Sequence, residues 1–154
     1  SNADYVILPG VGSAQMVMQS LISNNLVNVI KSLTQPVLGI CVGMQILFNS
    51  SEEQNCKCLG LINDDIKKFN LPKDKAVPHM GWNKVIFERE QLLSNYYYFA
   101  NSYYAPITKD TTSICEYGIE FSATVQKDNF FGCQFHPEKS SNSGIKFIQN
   151  FLNY

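Results

Sequence analysis

The run Val37-Leu38-Gly39-Ile40-Cys41-Val42-Gly43 constrains the chain more than any other segment. Val37 to Ile40 reads as a buried strand, and Met44-Gln45-Ile46-Leu47-Phe48 reads as the start of a helix. An apolar strand, a sharp turn carrying a nucleophile and a following helix form a nucleophile elbow. Glycines on each side of the cysteine let the backbone turn tightly and leave room for a substrate carbonyl. The thiol then stands at a helix N-terminus, where the dipole favours a thiolate. With an imidazolium partner, such a site brings a cysteine pKa from about 8.5 toward or below neutrality. Taken alone, Cys41 also fits the role of a small buried hydrophobe.

A second segment adds chemistry. Phe130 to Phe135 reads as a strand ending at His136, and Glu138 follows two residues later. His136 is a candidate base and Glu138 a carboxylate to orient it, so Cys41, His136 and Glu138 together suit nucleophilic acyl transfer.

The rest of the chain suggests what carries these segments. Tyr5-Val6-Ile7-Leu8 is a short apolar strand ended by Pro9-Gly10. Ser13 is placed to cap a helix over Met16, Leu21 and Ile22, and a second helical stretch covers Leu26 to Leu33. Strand, helix, strand, helix implies an α/β fold with a parallel, doubly wound sheet. Short strands follow at Ile66 to Phe69, Lys84 to Phe87, Tyr97 to Ala100 and Ile119 to Val125, as an antiparallel extension of that sheet. Tyr96-Tyr97-Tyr98 alternates faces on its strand and reads as sheet packing. A closing amphipathic helix places Ile145, Ile148, Phe151 and Leu152 in the core.

Bulk properties limit the partners. The chain has 154 residues, enough for one domain with a sizeable core, and a net charge of −1, which gives no sign of a nucleic-acid partner. Its five cysteines have no regular spacing, which argues against a disulfide framework and for a reducing, cytoplasmic setting. Cys56 and Cys58 lack the second pair that a zinc site requires, so no metal is expected. No apolar run is long enough to span a membrane. Ser1-Asn2-Ala3 reads either as a tag remnant or as the lead into the first strand.

Beyond the elbow and His136-Pro137-Glu138, the chain contains Leu8-Pro9-Gly10-Val11-Gly12-Ser13, Ser51-Glu52-Glu53, Pro78-His79-Met80-Gly81-Trp82-Asn83 and Asn101-Ser102-Tyr103-Tyr104. With these motifs, in this order over nearly its whole length, the chain resembles the class I (triad) glutamine amidotransferases. Within them it is most similar to the glutaminase subunits of imidazole glycerol phosphate synthases. The resemblance implies a flavodoxin-like fold and a mostly parallel sheet with an antiparallel extension. It also implies that residues 1–154 form one glutaminase domain without the strand and helix that normally open the family's fold. Such a chain should expose an open strand edge.

The resemblance implies roles as well. Gly10, Val11 and Val42 would supply the oxyanion hole. Gln45, Glu53, Ser102 and Tyr103 would bind the amino-acid end of L-glutamine, with Glu53 opposite its ammonium. No cofactor is implied. Ammonia would pass to a (β/α)8 cyclase subunit, docked on Pro78, Met80, Trp82, Asn83 and Lys139 in a heterodimer that serves histidine biosynthesis. Asn101 departs from the histidine more usual at its place. Three other readings stay open: a paralogue serving a different synthase, such as a sugar amidotransferase; a stand-alone Cys-His hydrolase; and an inactive binding subunit.

Overall fold

The apolar tripeptide Val6–Leu8 forms the first strand, β1, of the computed structural model, which describes residues 3–154. The reading of Ser1 and Asn2 lies outside the described residues. Ser13 caps α1 (Ala14–Ser23), its Oγ accepting the Met16 N–H at 3.2 Å. After α2 (Leu26–Lys31), β2 (Val37–Ile40) runs parallel to β1, with Val6 opposite Val37 and Leu8 opposite Gly39.

The helix expected from Met44 through Phe48 does not continue. α3 covers only Val42–Gln45, and Phe48–Ser51 is a strand, β3. The reason is tertiary. The carbonyls of Ile46, Leu47 and Phe48 accept from Leu59, Leu61 and Gly60, each at 2.8 Å, so they are unavailable to a continuing helix. Ile46, Leu47 and Phe48 are also fully buried, which suits an all-round apolar segment better than an amphipathic helix.

The remaining strands are β4 (Cys56–Lys57), β5 (Ile62–Lys68), β6 (His79–Phe87), β7 (Asn95–Asn101), β8 (Tyr103–Tyr104), β9 (Thr111–Glu116), β10 (Glu120–Lys127) and β11 (Phe130–Cys133). A closing helix, α4, spans Ser141–Phe151. The main sheet has seven strands in the order β1-β2-β11-β10-β9-β6-β7. β1, β2 and β11 are parallel, and β10, β9, β6 and β7 extend them antiparallel. A smaller four-stranded sheet has the order β4-β3-β5-β8. β9 escapes a search for apolar strands because its polar side chains are satisfied across the ladder: Ser113 Oγ lies 2.6 Å from Thr124 Oγ1.

Consecutive residues of the parallel strands feed different cores. Val37 and Phe130 join the cluster under α1 and α2, whereas Leu38 and Phe131 pack with the cluster under α4. The sheet is therefore covered on both faces. Tyr97 is fully buried and stacks on Phe135 at 4.1 Å, while Tyr96 is exposed. The expected core face of α4 needs correction. The helix buries Gly144, Phe147 and Phe151, and Ile145 and Leu152 are 57% and 46% exposed. Phe147 meets Phe135 edge-on at 5.0 Å, and this contact sets the helix rotation.

Candidate active site

Two adjacent parallel strands end together. Cys133, the last residue of β11, is in register with Ile40, the last of β2, so the residues beyond each strand meet at one sheet edge. In open α/β sheets this carboxyl edge is where ligands bind. Cys41 follows β2 with φ 51° and ψ −109°, a conformation that costs a non-glycine residue about 1–3 kcal/mol. It is held there from both sides. Its N–H donates to the Cys133 carbonyl at 2.7 Å, and its own carbonyl accepts from Met44 and Gln45 at 3.0 and 3.1 Å.

Glycine is required where the Pro9–Gly12 loop seats on the elbow. A Cβ at Gly10 would overlap the Ile40 carbonyl oxygen and lie 2.7 Å from the Cys41 Cβ. A Cβ at Gly43 would overlap the Leu8 carbonyl. The loop thus lies directly beside the thiol. Val11 within it is 86% exposed, and the Val42 N–H, next along the chain, works to lower the pKa of the Cys41 thiol.

His136 is buried, and its Nδ1 lies 2.7 Å from Glu138 Oε1. A carboxylate only accepts, so Nδ1 carries the proton and Nε2 remains for proton transfer. The main chain fixes the ring's base. The His136 N–H donates to the Tyr98 carbonyl at 2.9 Å, and Ser140 Oγ donates to the His136 carbonyl at 2.7 Å. That same hydroxyl accepts the Tyr98 N–H at 2.9 Å.

The expected low thiol pKa is not what this geometry gives. Burial pushes Cys41 from 9.0 up to about 11, against lowering by the Val42 N–H and the Gln134 amide, and Glu138 and Glu53 raise it further. α3 is a single turn of four residues, so its dipole is small and desolvation wins.

The expected substrate-binding residues are placed as follows. Gln45 is buried and its Nε2 donates to Gln134 Oε1 at 2.9 Å and to the Tyr103 carbonyl at 3.1 Å. Glu53 Oε2 accepts the Ala14 N–H at 2.8 Å, so one of its oxygens serves the start of α1. Ser102 and Tyr103 are half-buried.

Among the expected interface residues, Met80 and Trp82 are 63% and 53% exposed, and Pro78 and Lys139 are exposed too. Trp82 meets Tyr98 edge-on at 6.2 Å, and Lys139 Nζ lies 5.9 Å from the same ring, so Tyr98 joins them. Asn83 differs: its Nδ2 faces His79 Nε2 at 3.3 Å and donates to the Glu116 carbonyl at 2.8 Å. Gln134, Ser140 and Tyr98 escape sequence reasoning. Only the first carries a local signal, as a polar residue ending an apolar strand.

Among the described residues, no group of three or more His, Cys, Asp or Glu is arranged to hold a metal ion. A cavity of about 490 Å³, lined by Arg89, Thr112, Thr124, Gln126, Phe147 and Tyr154 among others, includes none of the candidate site residues.

The family model for class-I glutamine amidotransferases matches residues 1–153. The chain belongs to the class-I glutamine amidotransferases. Relatives of this amidotransferase include imidazole glycerol phosphate synthase subunit HisH 2 of Legionella pneumophila, 45% identical over 98% of the chain and 79% of the relative. Subunit HisH of Escherichia coli strain K12 is 47% identical over 97% of the chain and 80% of the relative. Among solved structures, a glutamine amidotransferase aligns over 97% of the chain and 78% of its own, with a TM-score of 0.69 at 14% identity. One from Thermotoga maritima aligns over 97% and 63%, with a TM-score of 0.60 at 16% identity. At those identities the structural likeness speaks for the fold alone.

Proposed function

We propose that residues 1–154 form one glutaminase domain, the ammonia-producing subunit of an imidazole glycerol phosphate synthase. The observation that carries the reading is the His136–Glu138 pair, 2.7 Å apart, at the end of β11 beside the strained Cys41 turn of β2. The subunit names of the relatives support the choice of synthase.

In this reading Cys41 gives its proton to His136 Nε2, and the thiolate attacks the side-chain carbonyl carbon of L-glutamine. The tetrahedral oxyanion is met by backbone N–H groups of Gly10, Val11 and Val42, whose worth is several kcal/mol in the transition state. His136 returns the proton to the leaving nitrogen, ammonia departs, and a thioester remains on Cys41. His136 then takes a proton from water, hydroxide adds to the thioester, and glutamate leaves as the thiol is re-formed. Glu138 holds the imidazole and supports its cationic form. Gln45, Glu53, Ser102 and Tyr103 hold the amino-acid end.

Ammonia released into water would be protonated and lost. The exposed Met80, Trp82 and Lys139 therefore seat a (β/α)8 cyclase that receives it, in the cytoplasm. Among the described residues no helix is long and apolar enough to cross a membrane. The raised thiol pKa fits a glutaminase that idles until its partner and acceptor substrate are bound.

The test is glutamine hydrolysis by the subunit alone, then with a histidine-pathway cyclase subunit and its nucleotide ligand. Strong stimulation only with both is the expected result. Hydrolysis indifferent to that partner would transfer the assignment to a paralogous synthase or a stand-alone hydrolase.

A further inference from the structure

We infer that Gln134 is a catalytic residue: it delivers a side-chain N–H to the Cys41 sulfur, with its orientation imposed by the Tyr103 carbonyl through Gln45. The inference deepens the glutaminase reading and rests on Cys41 as nucleophile.

Gln134 is fully buried immediately after β11, and its Nε2 lies 3.6 Å from Cys41 Sγ. An amide can present either end, and an oxygen facing the sulfur would oppose a thiolate. Three contacts remove the choice. The Tyr103 carbonyl is a main-chain acceptor and cannot turn round, so Gln45 must offer it Nε2, at 3.1 Å. The same Nε2 faces Gln134 at 2.9 Å, so Gln134 must offer Oε1 there. Only the Gln134 Nε2 remains for the sulfur. Asn101 Nδ2 donates to the same Tyr103 carbonyl at 2.9 Å and holds the anchor in place. A fixed acceptor on β8 thus sets the sign of the dipole at the nucleophile two amides away.

The chemistry follows from that sign. A buried thiolate needs donors, and hydrogen bonds to a charged group are about twice as strong as those between neutral groups. Besides this amide, the Val42 N–H favours the thiolate, and the carboxylates of Glu138 and Glu53 oppose it, with the ionisable Cys133 on the adjoining strand and His136 three residues beyond it in the chain. Losing the Gln134 amide removes one of the two hydrogen-bonding groups that favour the thiolate of the free enzyme against these two negative charges.

The test measures thiol ionisation directly, by the pH dependence of Cys41 alkylation with iodoacetamide on the full chain, with mass mapping to exclude the other cysteines. Gln134→Met preserves volume and removes the donor, and its alkylation pKa should rise by about one unit, which corresponds to about tenfold less thiolate at a given pH. Turnover in the partnered enzyme should fall by a similar factor with KM little changed. Gln45→Glu cannot donate to Gln134 when ionised. It should turn the Gln134 amide round and raise the alkylation pKa further than Gln134→Met. If Gln134→Met does not fold, the unaltered protein still decides: the Gln134 side-chain amide resonance should titrate with the alkylation pKa. A Gln134→Met profile superimposed on that of the unaltered protein, or an amide signal flat through the Cys41 titration, would overturn the inference. The alkylation and resonance readouts need neither glutamine nor a partner, so their failure is separate from failure of the glutaminase reading.

Discussion

At the scale of single residues, burial decides charge. His79 is almost fully buried between the rings of Phe99, stacked at 4.8 Å, and Tyr117, stacked at 3.9 Å. The Asn83 amide donates to the Glu116 carbonyl and points its nitrogen at His79 Nε2, so the imidazole is neutral with its proton on Nδ1. Desolvation, helped by Lys75, lowers its pKa from 6.5 to about 4. A depressed folded-state pKa gives stability that is full above the unfolded value and lost as pH falls. The protein should therefore weaken between pH 6.5 and about 4, by on the order of 3 kcal/mol from this group alone. Urea midpoints across that window should show the slope, and His79→Phe should flatten it. Cys41→Ala belongs to the same scale. It should abolish glutamine-dependent synthesis and leave the partner's ammonia-dependent synthesis intact, as read by paired assays; an equal loss of both would make Cys41 structural.

At the scale of elements, the segment after β11 is clamped between β7 and α4. Ser140 Oγ links the Tyr98 N–H to the His136 carbonyl, and Gly144 of α4 sits so close to Pro137 that a Cβ would overlap the Pro137 carbonyl oxygen. Glycine to alanine inside a helix ordinarily gains about 1 kcal/mol. Here the overlap is with main chain rather than a flexible side-chain tip, and overpacking of about 1–3 kcal/mol prevails. Gly144→Ala should lower the urea midpoint at unchanged slope. It should also reduce glutaminase turnover, because Pro137 lies between His136 and Glu138. A stabilised, fully active variant would show that α4 can shift away without moving the pair.

At the scale of the whole molecule, the two ends of the main sheet differ. Beside the far end, β6 and β7 present Met80, Trp82 and Tyr98 next to Lys139. Buried tryptophans are common anchors of interfaces, so Trp82→Ala should weaken cyclase binding by about 2 kcal/mol or more, roughly thirtyfold in Kd by titration calorimetry. At the near end, β1 pairs with β2 and is the last strand among the described residues. Ile7 is 50% exposed there, and Met16, Ile22, Leu26 and Val29 are exposed on α1 and α2. An open strand edge beside apolar surface promotes association. Light scattering on the 154-residue chain should show a mass that grows with concentration, and a sharp, concentration-independent monomer peak would contradict this.

Local patterns in the sequence sufficed wherever one segment carries its own reason. Pro36 and the Cys41 turn bracket four apolar residues, and β2 is those residues, Val37–Ile40. Ser13 caps α1 because a hydroxyl before a helical run satisfies its free N–H groups. The α/β order of the first forty residues is legible for the same reason, as are the sharp turn at Cys41 and the pairing of His136 with Glu138 two residues on. What tertiary structure decided needs distant segments at once. α3 stops after Gln45 because residues 59–62 claim the next carbonyls. α4 turns Phe147 inward and Ile145 outward because Phe135 waits on the sheet. The Cys41 thiol rises to about 11 because the whole fold removes water from it. Gln134 points nitrogen at that thiol because a carbonyl more than thirty residues before it, at Tyr103, admits only one orientation of the amides between. Periodicity and capping act over a few residues, whereas desolvation and hydrogen-bond polarity are properties of the assembled interior.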